Sequence, residues 1–221
     1  MAKRCLLYYI TDRSQFDGDE PVRRRALLAR IAEAARASVD YIQLREKDLS
    51  TRELENLARE AIAVVRENSS QTRLLINSRT DVALAVEADG VHLRADDVAP
   101  HEVRRMLEVS AHRPLATSHF FVAASCHTAA DVYHAESEAA DFAVFAPVFE
   151  KHNATGTQST GLAALREACR AKIPVLALGG VTLENAASCL DAGAAGIAGI
   201  RLFQENRIED VVRQMRSPTP R

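Results

Sequence analysis

The run Tyr41-Ile42-Gln43-Leu44-Arg45-Glu46-Lys47-Asp48 joins an apolar segment to a charged one, and this order recurs along the chain. Residues 39–44 are a short apolar run, which predicts a buried β-strand. Alternate side chains of an extended chain share a face, so Gln43, Arg45 and Lys47 are expected to point the same way. Two cations at the carboxyl end of a strand suit an anionic, phosphorylated ligand. The same residues are also compatible with a charged turn that binds nothing.

The composition favours one globular domain without a polyanionic partner. At 221 residues the chain is long enough for one sizeable α/β domain and short for two. The 47% hydrophobic and 5% aromatic contents predict a core built mostly from aliphatic side chains. A net charge of −2 argues against a nucleic-acid partner. No signal peptide or membrane span is recognisable, so we expect a cytoplasmic protein with no membrane partner. The sequence leaves open whether the chain forms a homo-oligomer.

Apolar segments alternate with helical segments along the whole chain. The predicted strands cover residues 5–10, 39–44, 73–76, 90–93, 119–124, 141–145, 174–178 and 195–199. The predicted helices cover residues 21–37, 51–67, 80–87, 100–108, 129–138, 162–171, 183–192 and 209–215. Continuous apolar strands alternating with helices predict a parallel sheet covered by helices.

Eight such units predict an α/β fold of one domain, a (β/α)8 TIM barrel over residues 1–216, with residues 217–221 as a disordered tail. An open, doubly wound sheet is the alternative, and it is disfavoured because no G-x-G-x-x-G motif follows the first strand.

Polar residues concentrate where a barrel builds its site, in the loops after the carboxyl ends of the strands. Any one of them could be ordinary turn chemistry, but the collection at successive strand ends predicts a ligand site. The set comprises Thr11, Asp12, Gln43, Arg45, Lys47, Asn77, Ser78, Arg94, Asp97, Ser125, His127, Lys151 in the loop of residues 146–161 and, after the eighth strand, Arg201.

A second anion site is predicted at the last two strands. Gly179 and Gly180 let the backbone approach a ligand closely, and Thr182 is placed to cap the next helix. Loops after strands seven and eight of barrels often bind phosphate. Gly199-Ile200, after the eighth strand, is a second place where a small residue lets the backbone come close to a ligand. The same glycines are also what tight turns and close packing require. Two anion sites on one cavity suggest the joining or rearrangement of phosphorylated small molecules.

Five runs, taken in order, resemble the thiamine phosphate synthase/TenI family over nearly the whole chain. They are Tyr41-Ile42-Gln43-Leu44-Arg45-Glu46-Lys47, Ile76-Asn77, Ala88-Asp89-Gly90-Val91-His92-Leu93, Ala124-Ser125-Cys126-His127-Thr128 and Ala177-Leu178-Gly179-Gly180-Val181. The resemblance implies thiamine biosynthesis. Synthase members join 4-amino-2-methyl-5-(diphosphooxymethyl)pyrimidine to 4-methyl-5-(2-phosphooxyethyl)thiazole, release diphosphate and use Mg²⁺. TenI-type members are thiazole tautomerases.

The synthase resemblance implies a role for each matched residue. Gln43, Arg45 and Lys47 match the diphosphate-binding residues, and the two cations would stabilise the departing diphosphate. Asn77 matches the residue that holds the pyrimidine, and Ser125 matches one near the diphosphate and the reacting carbon. Asp97 matches one of the family's two magnesium-binding aspartates. The positions that match the thiazole phosphate site are Gly179, Gly180, Gly199 and Ile200.

Three departures from the synthase pattern concern charge and metal. The family's synthases have Asn-Asp after the third strand, and this chain has Asn77-Ser78, so one of the two expected carboxylates is missing. The usual Gly-Gln before the acidic pair is Arg94-Ala95, and the sixth loop lacks its Thr-x-Thr-Lys run. Lys151 is the candidate to supply that positive charge from a shifted position. A single aspartate can still recruit Mg²⁺ when the diphosphate provides other ligands, and Arg94 is an alternative source of neutralising charge.

Two other functions stay open. Residues 77–81 are more similar to the TenI-type run, and in a tautomerase His127 would transfer protons. The retained Arg45 and Lys47 favour the synthase, because a tautomerase handles no diphosphate. The missing aspartate also allows a non-catalytic thiazole- or thiamine-phosphate-binding protein. Beside the predicted site, His92 is interpreted as a packed histidine and Cys126 as a candidate nucleophile.

Overall fold

Eight parallel strands close into a barrel in sequence order, and β1 completes the ring by pairing with β8. This computed structural model describes residues 4–109, 119–150 and 159–216. The strands are β1 (Leu6–Ile10), β2 (Tyr41–Leu44), β3 (Arg73–Asn77), β4 (Gly90–Leu93), β5 (Phe121–Cys126), β6 (Phe142–Phe145), β7 (Val175–Ala177) and β8 (Gly196–Gly199). The predicted TIM barrel is confirmed.

Helices cover the outside of the barrel and follow the strands in turn. They are α1 (Glu20–Arg36), α2 (Thr51–Asn68), α3 (Thr80–Ala85), α4 (Pro100–Val109), α5 (Ala129–Ser137), α6 (Gly161–Ala168), α7 (Ala186–Asp191), α8 (Arg201–Gln204) and α9 (Ile208–Arg216). A 3-10 helix, Arg13–Gln15, follows β1. None of the described helices is long and apolar enough to span a membrane. The predicted tail, residues 217–221, lies outside the described residues.

Strand residues alternate between two cores. One face of each strand packs under the helices, as Ile42 and Leu44 of β2 do. The other face fills the barrel interior, as Tyr8 of β1, Leu75 of β3 and Ala123 of β5 do. This alternation decides which side chain at the end of each strand faces the mouth of the barrel.

Aromatic rings fill the amino-terminal part of the barrel interior. The ring of Tyr41 lies 4.8 Å from that of Phe142 and 5.4 Å from that of Phe121, measured between centroids. Glycine is required beside them, because a Cβ at Gly90 would lie 2.2 Å from the Phe121 carbonyl oxygen. A Cβ at Gly196 would lie 2.1 Å from the Leu6 carbonyl oxygen. Side chains therefore fill the amino-terminal part of the barrel interior.

Two strands extend further than predicted. Ser125 and Cys126 belong to β5, where they pair with Val144 and Phe145 of β6, so they do not follow the strand. Asn77 is likewise the last residue of β3, paired with His92 of β4. Pairing with a neighbouring strand extends each element beyond its apolar run.

The cap predicted for Thr182 is wrong. Helix α7 begins at Ala186, and Asn185 occupies the N-cap position. The Asn185 Oδ1 atom accepts a hydrogen bond of 2.8 Å from the Thr182 backbone N–H, and Asn185 Nδ2 donates to the Gly180 carbonyl at 2.9 Å. Asn185 thus organises a turn where the sequence predicts the first helical residues. The short helix α8 was also not predicted, since four residues leave no periodic pattern.

Candidate active site

Four polar side chains form the layer at the carboxyl-terminal end of the barrel interior. Gln43, Asn77 and Ser125 each come two residues after an interior-facing residue, namely Tyr41, Leu75 and Ala123. His92, paired in register with Asn77, completes the layer. Alternation along the strands therefore brings three of the sequence-predicted residues together on one surface.

His92 is buried in this layer and hydrogen-bonded at both ring nitrogens. Its Nε2 atom lies 2.8 Å from Ser125 Oγ, and its Nδ1 atom lies 3.1 Å from the Tyr8 hydroxyl oxygen. Burial, together with the nearby charge of Arg45, lowers the pKa of His92 to about 3. The imidazole is therefore neutral, and the interpretation of His92 as a packed, hydrogen-bonded histidine is confirmed.

Gln43 presents a buried donor in the same layer. Its Nε2 atom is inaccessible and has no hydrogen-bond partner of normal geometry among the described residues, although the amide lies beside the Tyr8 hydroxyl. An unpaired buried N–H is costly, so such a group calls for an acceptor from a ligand or water. This fits the predicted role of Gln43 as a ligand-binding residue.

Glu46 fixes the loop that carries the two predicted cations. It lies between Arg45 and Lys47 in sequence and is itself buried, whereas Lys47 is exposed. Glu46 Oε1 accepts a hydrogen bond of 2.6 Å from Thr11 Oγ1, and Glu46 Oε2 accepts from the Arg13 backbone N–H at 3.0 Å. The Arg45 backbone N–H in turn donates to Thr11 Oγ1 at 3.0 Å. The loop after β2 is thereby attached to the residues after β1.

Arg13 provides the counter-charge for this attachment. Its buried guanidinium contacts Glu46 at 3.1 Å, Asp48 at 2.7 Å and Glu20 at 2.8 Å. The hydrogen bonds to Asp48, more than those to Glu20 and Glu46, raise the pKa of Arg13 above its ordinary value. Burial raises the pKa of Glu46, and the hydrogen bonds from Thr11 and Arg13 oppose that effect. Nothing in the local sequence distinguishes Arg13 from a surface arginine, so its buried role was not predicted.

Asp97, the predicted metal ligand, is hydrogen-bonded to the serine that replaces the second carboxylate. The Ser78 hydroxyl lies 2.5 Å from Asp97 Oδ1 and 2.7 Å from Oδ2, and the Arg94 backbone N–H donates to Oδ2 at 2.7 Å. Ser78 has a φ of +64°, in the left-handed region. The Arg94 guanidinium is engaged by the exposed Asp96 carboxylate.

The described residues contain no group of three or more His, Cys, Asp and Glu side chains that could hold a metal by themselves. Magnesium commonly uses one or two carboxylates and completes its shell with water and substrate phosphates. A single carboxylate at Asp97, hydrogen-bonded to Ser78 at the end of β3, fits that mode of binding.

His127 and Cys126 are adjacent in sequence but differ in environment. The exposed His127 ring places Nδ1 2.7 Å from the Ala146 carbonyl oxygen, and a carbonyl only accepts, so Nδ1 carries the proton and Nε2 is the available base. Cys126 packs under the helices, and burial, followed by the Asp131 charge, raises the pKa of its thiol to about 12. Its candidacy as a nucleophile is wrong, because alternation turns it away from the mouth.

A cavity of about 580 Å³ opens at the ends of β7 and β8. Gly179 and Gly180 have φ values of +94° and +63°. A Cβ at Gly179 would lie 2.7 Å from Pro147 Cα, and one at Gly180 would lie 2.7 Å from the Glu150 carbonyl oxygen. These glycines therefore serve both the cavity wall and the packing of the loop after β6. Residues lining the cavity include Gln15, Gly179, Gly180, Thr182, Gly199, Ile200, Arg201 and Asn206.

Arg201 supplies positive charge to this cavity. It follows Ile200 directly, and its side chain is exposed where it lines the cavity. The sequence places it among the polar residues after the strands, but the family resemblance gives it no role. Lys151, predicted for the sixth loop, lies outside the described residues.

The sequence and the fold are similar to those of known proteins. The family model described as "Thiamine monophosphate synthase" matches residues 7–203. A thiamine-phosphate synthase of Syntrophomonas wolfei is 35% identical over 215 residues, covering 95% of this chain and 94% of the relative. One from Methanoculleus marisnigri is 37% identical over 202 residues, covering 88% and 85%. The solved thiamine phosphate pyrophosphorylase from Pyrococcus furiosus superposes with a TM-score of 0.76 at 26% identity, covering 96% of this chain and 98% of that one.

Proposed function

Because the chain belongs to the thiamine monophosphate synthase family, we propose that it joins 4-amino-2-methyl-5-(diphosphooxymethyl)pyrimidine to 4-methyl-5-(2-phosphooxyethyl)thiazole and releases diphosphate. Family membership makes it a transferase of thiamine biosynthesis, as the sequence predicts. The observation that carries the proposal at the level of the site is the polar layer of the barrel interior. That layer presents Gln43, Asn77 and Ser125 to the mouth, next to the loop that bears Arg45.

At the diphosphate end, the protein stabilises charge that develops on the leaving group. The bond between the exocyclic methylene carbon and the diphosphate oxygen breaks, and its electron pair leaves with the oxygen. Arg45 and Lys47 supply positive charge, and the Gln43 amide and the Ser125 hydroxyl supply hydrogen-bond donors. Fixed charges and donors aimed at a leaving oxygen lower the barrier most where its charge is greatest, in the transition state.

At the thiazole end, the protein binds and aligns the second substrate. The cavity beside β7 and β8 offers the backbone of Gly179 and Gly180 and the Arg201 guanidinium to the thiazole phosphate. The thiazole nitrogen lone pair then forms the new C–N bond to the methylene carbon. Holding the nitrogen in line with that carbon converts an encounter of two substrates into an effectively unimolecular step.

Magnesium is the metal expected of this family, and Asp97 would hold it together with oxygens of the diphosphate. When bound, the ion supplies further neutralisation of the leaving diphosphate. Ser78 keeps the Asp97 carboxylate oriented by donating its one hydroxyl proton between the two carboxylate oxygens. Lys151 is retained in the proposal as a further cation for the diphosphate, on the strength of the sequence alone.

The direct test supplies both substrates and Mg²⁺ to purified protein and measures thiamine phosphate and released diphosphate. We expect turnover in the unmodified chain and a loss of roughly a hundredfold or more in kcat/KM for Arg45→Ala, the size associated with removing one charged transition-state contact. Arg52→Ala, which removes an exposed arginine of α2, is the matched control and should retain full activity. No thiamine phosphate from the unmodified chain would contradict the proposal.

A TenI-type thiazole tautomerase is the second candidate, and the hydrogen bond at His127 favours it. With Nδ1–H donated to Ala146, the exposed Nε2 atom can accept and return a proton. The test is conversion of the thiazole carboxylate phosphate tautomer. The chain would be assigned to this branch if it catalyses that conversion, loses it in His127→Asn and shows no synthase turnover. Binding of thiazole phosphate or thiamine phosphate without either activity would indicate the non-catalytic binding protein.

The cytoplasmic location stays a prediction.

A further inference from the structure

A hydrogen-bonded chain of three side chains runs from the interior of the barrel to its mouth. It joins Tyr8 on β1, His92 on β4 and Ser125 on β5. Tyr8 is fully buried, His92 is 3% exposed, and Ser125 is half-buried at the polar layer. Residues from three separate strands therefore converge on one hydroxyl group at the site.

We propose that Tyr8 and His92 are positioning residues that hold the Ser125 hydroxyl as a hydrogen-bond donor toward the diphosphate. The proposal rests on the proposed function for the identity of that ligand. Neither residue contacts the substrate in this account. Both act through the direction in which the Ser125 proton points.

The direction of hydrogen-bond donation along these three side chains follows from the buried Tyr8 end. A neutral imidazole carries one N–H, so one ring nitrogen donates and the other accepts. His92 Nδ1 lies 3.1 Å from the Tyr8 hydroxyl oxygen, and the Gln43 amide beside that oxygen acts as a donor, since it lowers the pKa of Tyr8 against the larger effect of burial. Burial raises the pKa of Tyr8 well above its ordinary value, so its proton is present and would be left unpaired if Nδ1 were protonated.

With Tyr8 donating to Nδ1, the His92 proton lies on Nε2 and is donated to Ser125 Oγ over 2.8 Å. The lone pair of Oγ that faces inward is thereby occupied, and the hydroxyl proton is free to point into the mouth. Each donor in such a chain polarises the next, so the Ser125 proton becomes a better donor to an anion. The opposite tautomer would instead draw the Ser125 proton inward and present a lone pair to the diphosphate.

The first test determines the tautomer by ¹⁵N NMR of the imidazole rings. The chain contains seven histidines, and the His92 signals are assigned as those missing from His92→Gln. We expect a protonated Nε2 and an unprotonated Nδ1 in the free enzyme. A protonated Nδ1 would overturn the proposal. Since this measurement requires no turnover, its outcome is independent of whether the chain is a synthase.

The second test removes the Tyr8 hydroxyl while keeping its ring, which packs against Tyr41 and Phe142. Tyr8→Phe should lower kcat roughly fivefold, the size of one neutral hydrogen bond, and weaken the binding of inorganic diphosphate by a similar factor. In a Ser125→Ala background the same change should have no effect, because its consequence passes through the Ser125 hydroxyl.

Tyr9→Phe is the matched control for this substitution. Tyr9 is the next residue on the same strand, and its buried hydroxyl has no hydrogen-bond partner among the described residues. It faces the helix layer, where its ring packs against Phe203. The proposal would be overturned if Tyr8→Phe and Tyr9→Phe lowered kcat equally, or if the effect of Tyr8→Phe persisted in the Ser125→Ala background. Either result would show that Tyr8 contributes only packing. If the unmodified chain makes no thiamine phosphate, the proposed function fails, and diphosphate binding still decides between these outcomes.

Discussion

Ser78 occupies the position at which the resemblance implies a second metal-binding carboxylate. The family resemblance implies a second carboxylate at this position, and the structure places a hydroxyl there, hydrogen-bonded to both oxygens of Asp97. The described residues then leave Asp97 as the carboxylate available to a divalent cation at the predicted metal position. We therefore expect the free enzyme to bind divalent cations weakly and to acquire them together with the diphosphate.

Ser78→Asp tests this expectation. The left-handed φ of +64° is more readily adopted by Asp and Asn than by Ser, so the substitution suits the backbone. Adding a second carboxylate should tighten Mn²⁺ binding to the substrate-free protein by roughly tenfold, about 1.4 kcal/mol. Electron paramagnetic resonance of free Mn²⁺ measures this without turnover, and Ser78→Asn is the uncharged control. Equal affinities in the unmodified chain and Ser78→Asp would contradict the account.

At the scale of elements, the loop after β2 is held by a buried ion pair whose partners follow different strands. Glu46 and Arg13 have side chains 2% and 5% exposed, so Glu46→Gln removes the buried partner of Arg13 and leaves it with the more exposed Asp48 and Glu20. Glu46→Gln should lower the free energy of unfolding by about 2 kcal/mol, the size of a lost buried hydrogen bond to a charged group. Urea unfolding measures the change.

Asp48→Asn is the control for this ion pair. It removes a partner of the same arginine, but its side chain is 70% exposed, and we expect a loss of about 1 kcal/mol or less. Equal losses of unfolding free energy in the two variants would show that the burial of Glu46 does not determine its contribution to stability.

The first turn of α5 gives a pH-dependent prediction. Thr128 and Asp131 form a capping box, and the Asp131 carboxylate also accepts from the His127 backbone N–H. Burial opposes ionisation, but hydrogen bonds from the backbone N–H groups of His127 and Thr128 outweigh it and lower the pKa of Asp131. The stabilisation is therefore present above the ordinary aspartate pKa of about 3.9 and is lost as the pH falls through the lower pKa of the folded state.

Asp131→Asn should lower the free energy of unfolding by roughly 1 kcal/mol at pH 6, and the difference should shrink toward pH 3. Urea titrations at the two pH values measure it. Asp191→Asn, which changes an exposed residue at the end of α7, serves as the control. A difference that stays constant with pH would contradict the assignment of the effect to the carboxylate.

Sequence alone was sufficient for the barrel and for the strand ends at which the candidate site residues lie. It did not separate inward Ser125 from outward Cys126, because the apolar run predicts a strand that ends at residue 124 and β5 continues to Cys126. What escaped prediction depends on pairs distant in sequence. Arg13 meets Glu46 because β1 pairs with β2, and Tyr8 meets His92 across the barrel interior because the sheet closes. Helix α8 escaped because it is too short to carry a pattern.

For the whole molecule, the central claim is that one barrel mouth holds two anionic substrates at adjacent places. Strand β1 pairs with both β2 and β8, so Arg45 after β2 and Arg201 after β8 are separated by a single strand. The claim assigns the first arginine to the pyrimidine diphosphate and the second to the thiazole phosphate. Each arginine should therefore affect one substrate.

The most direct measurement is a crossed determination of KM for both substrates in Arg45→Met and Arg201→Met, which keep the aliphatic stem and remove the charge. We predict that Arg45→Met raises KM for the pyrimidine diphosphate by roughly tenfold or more and leaves KM for the thiazole phosphate within about twofold. Arg201→Met should show the reverse. Both substitutions raising the same KM, or Arg201→Met changing neither, would contradict the two-site account.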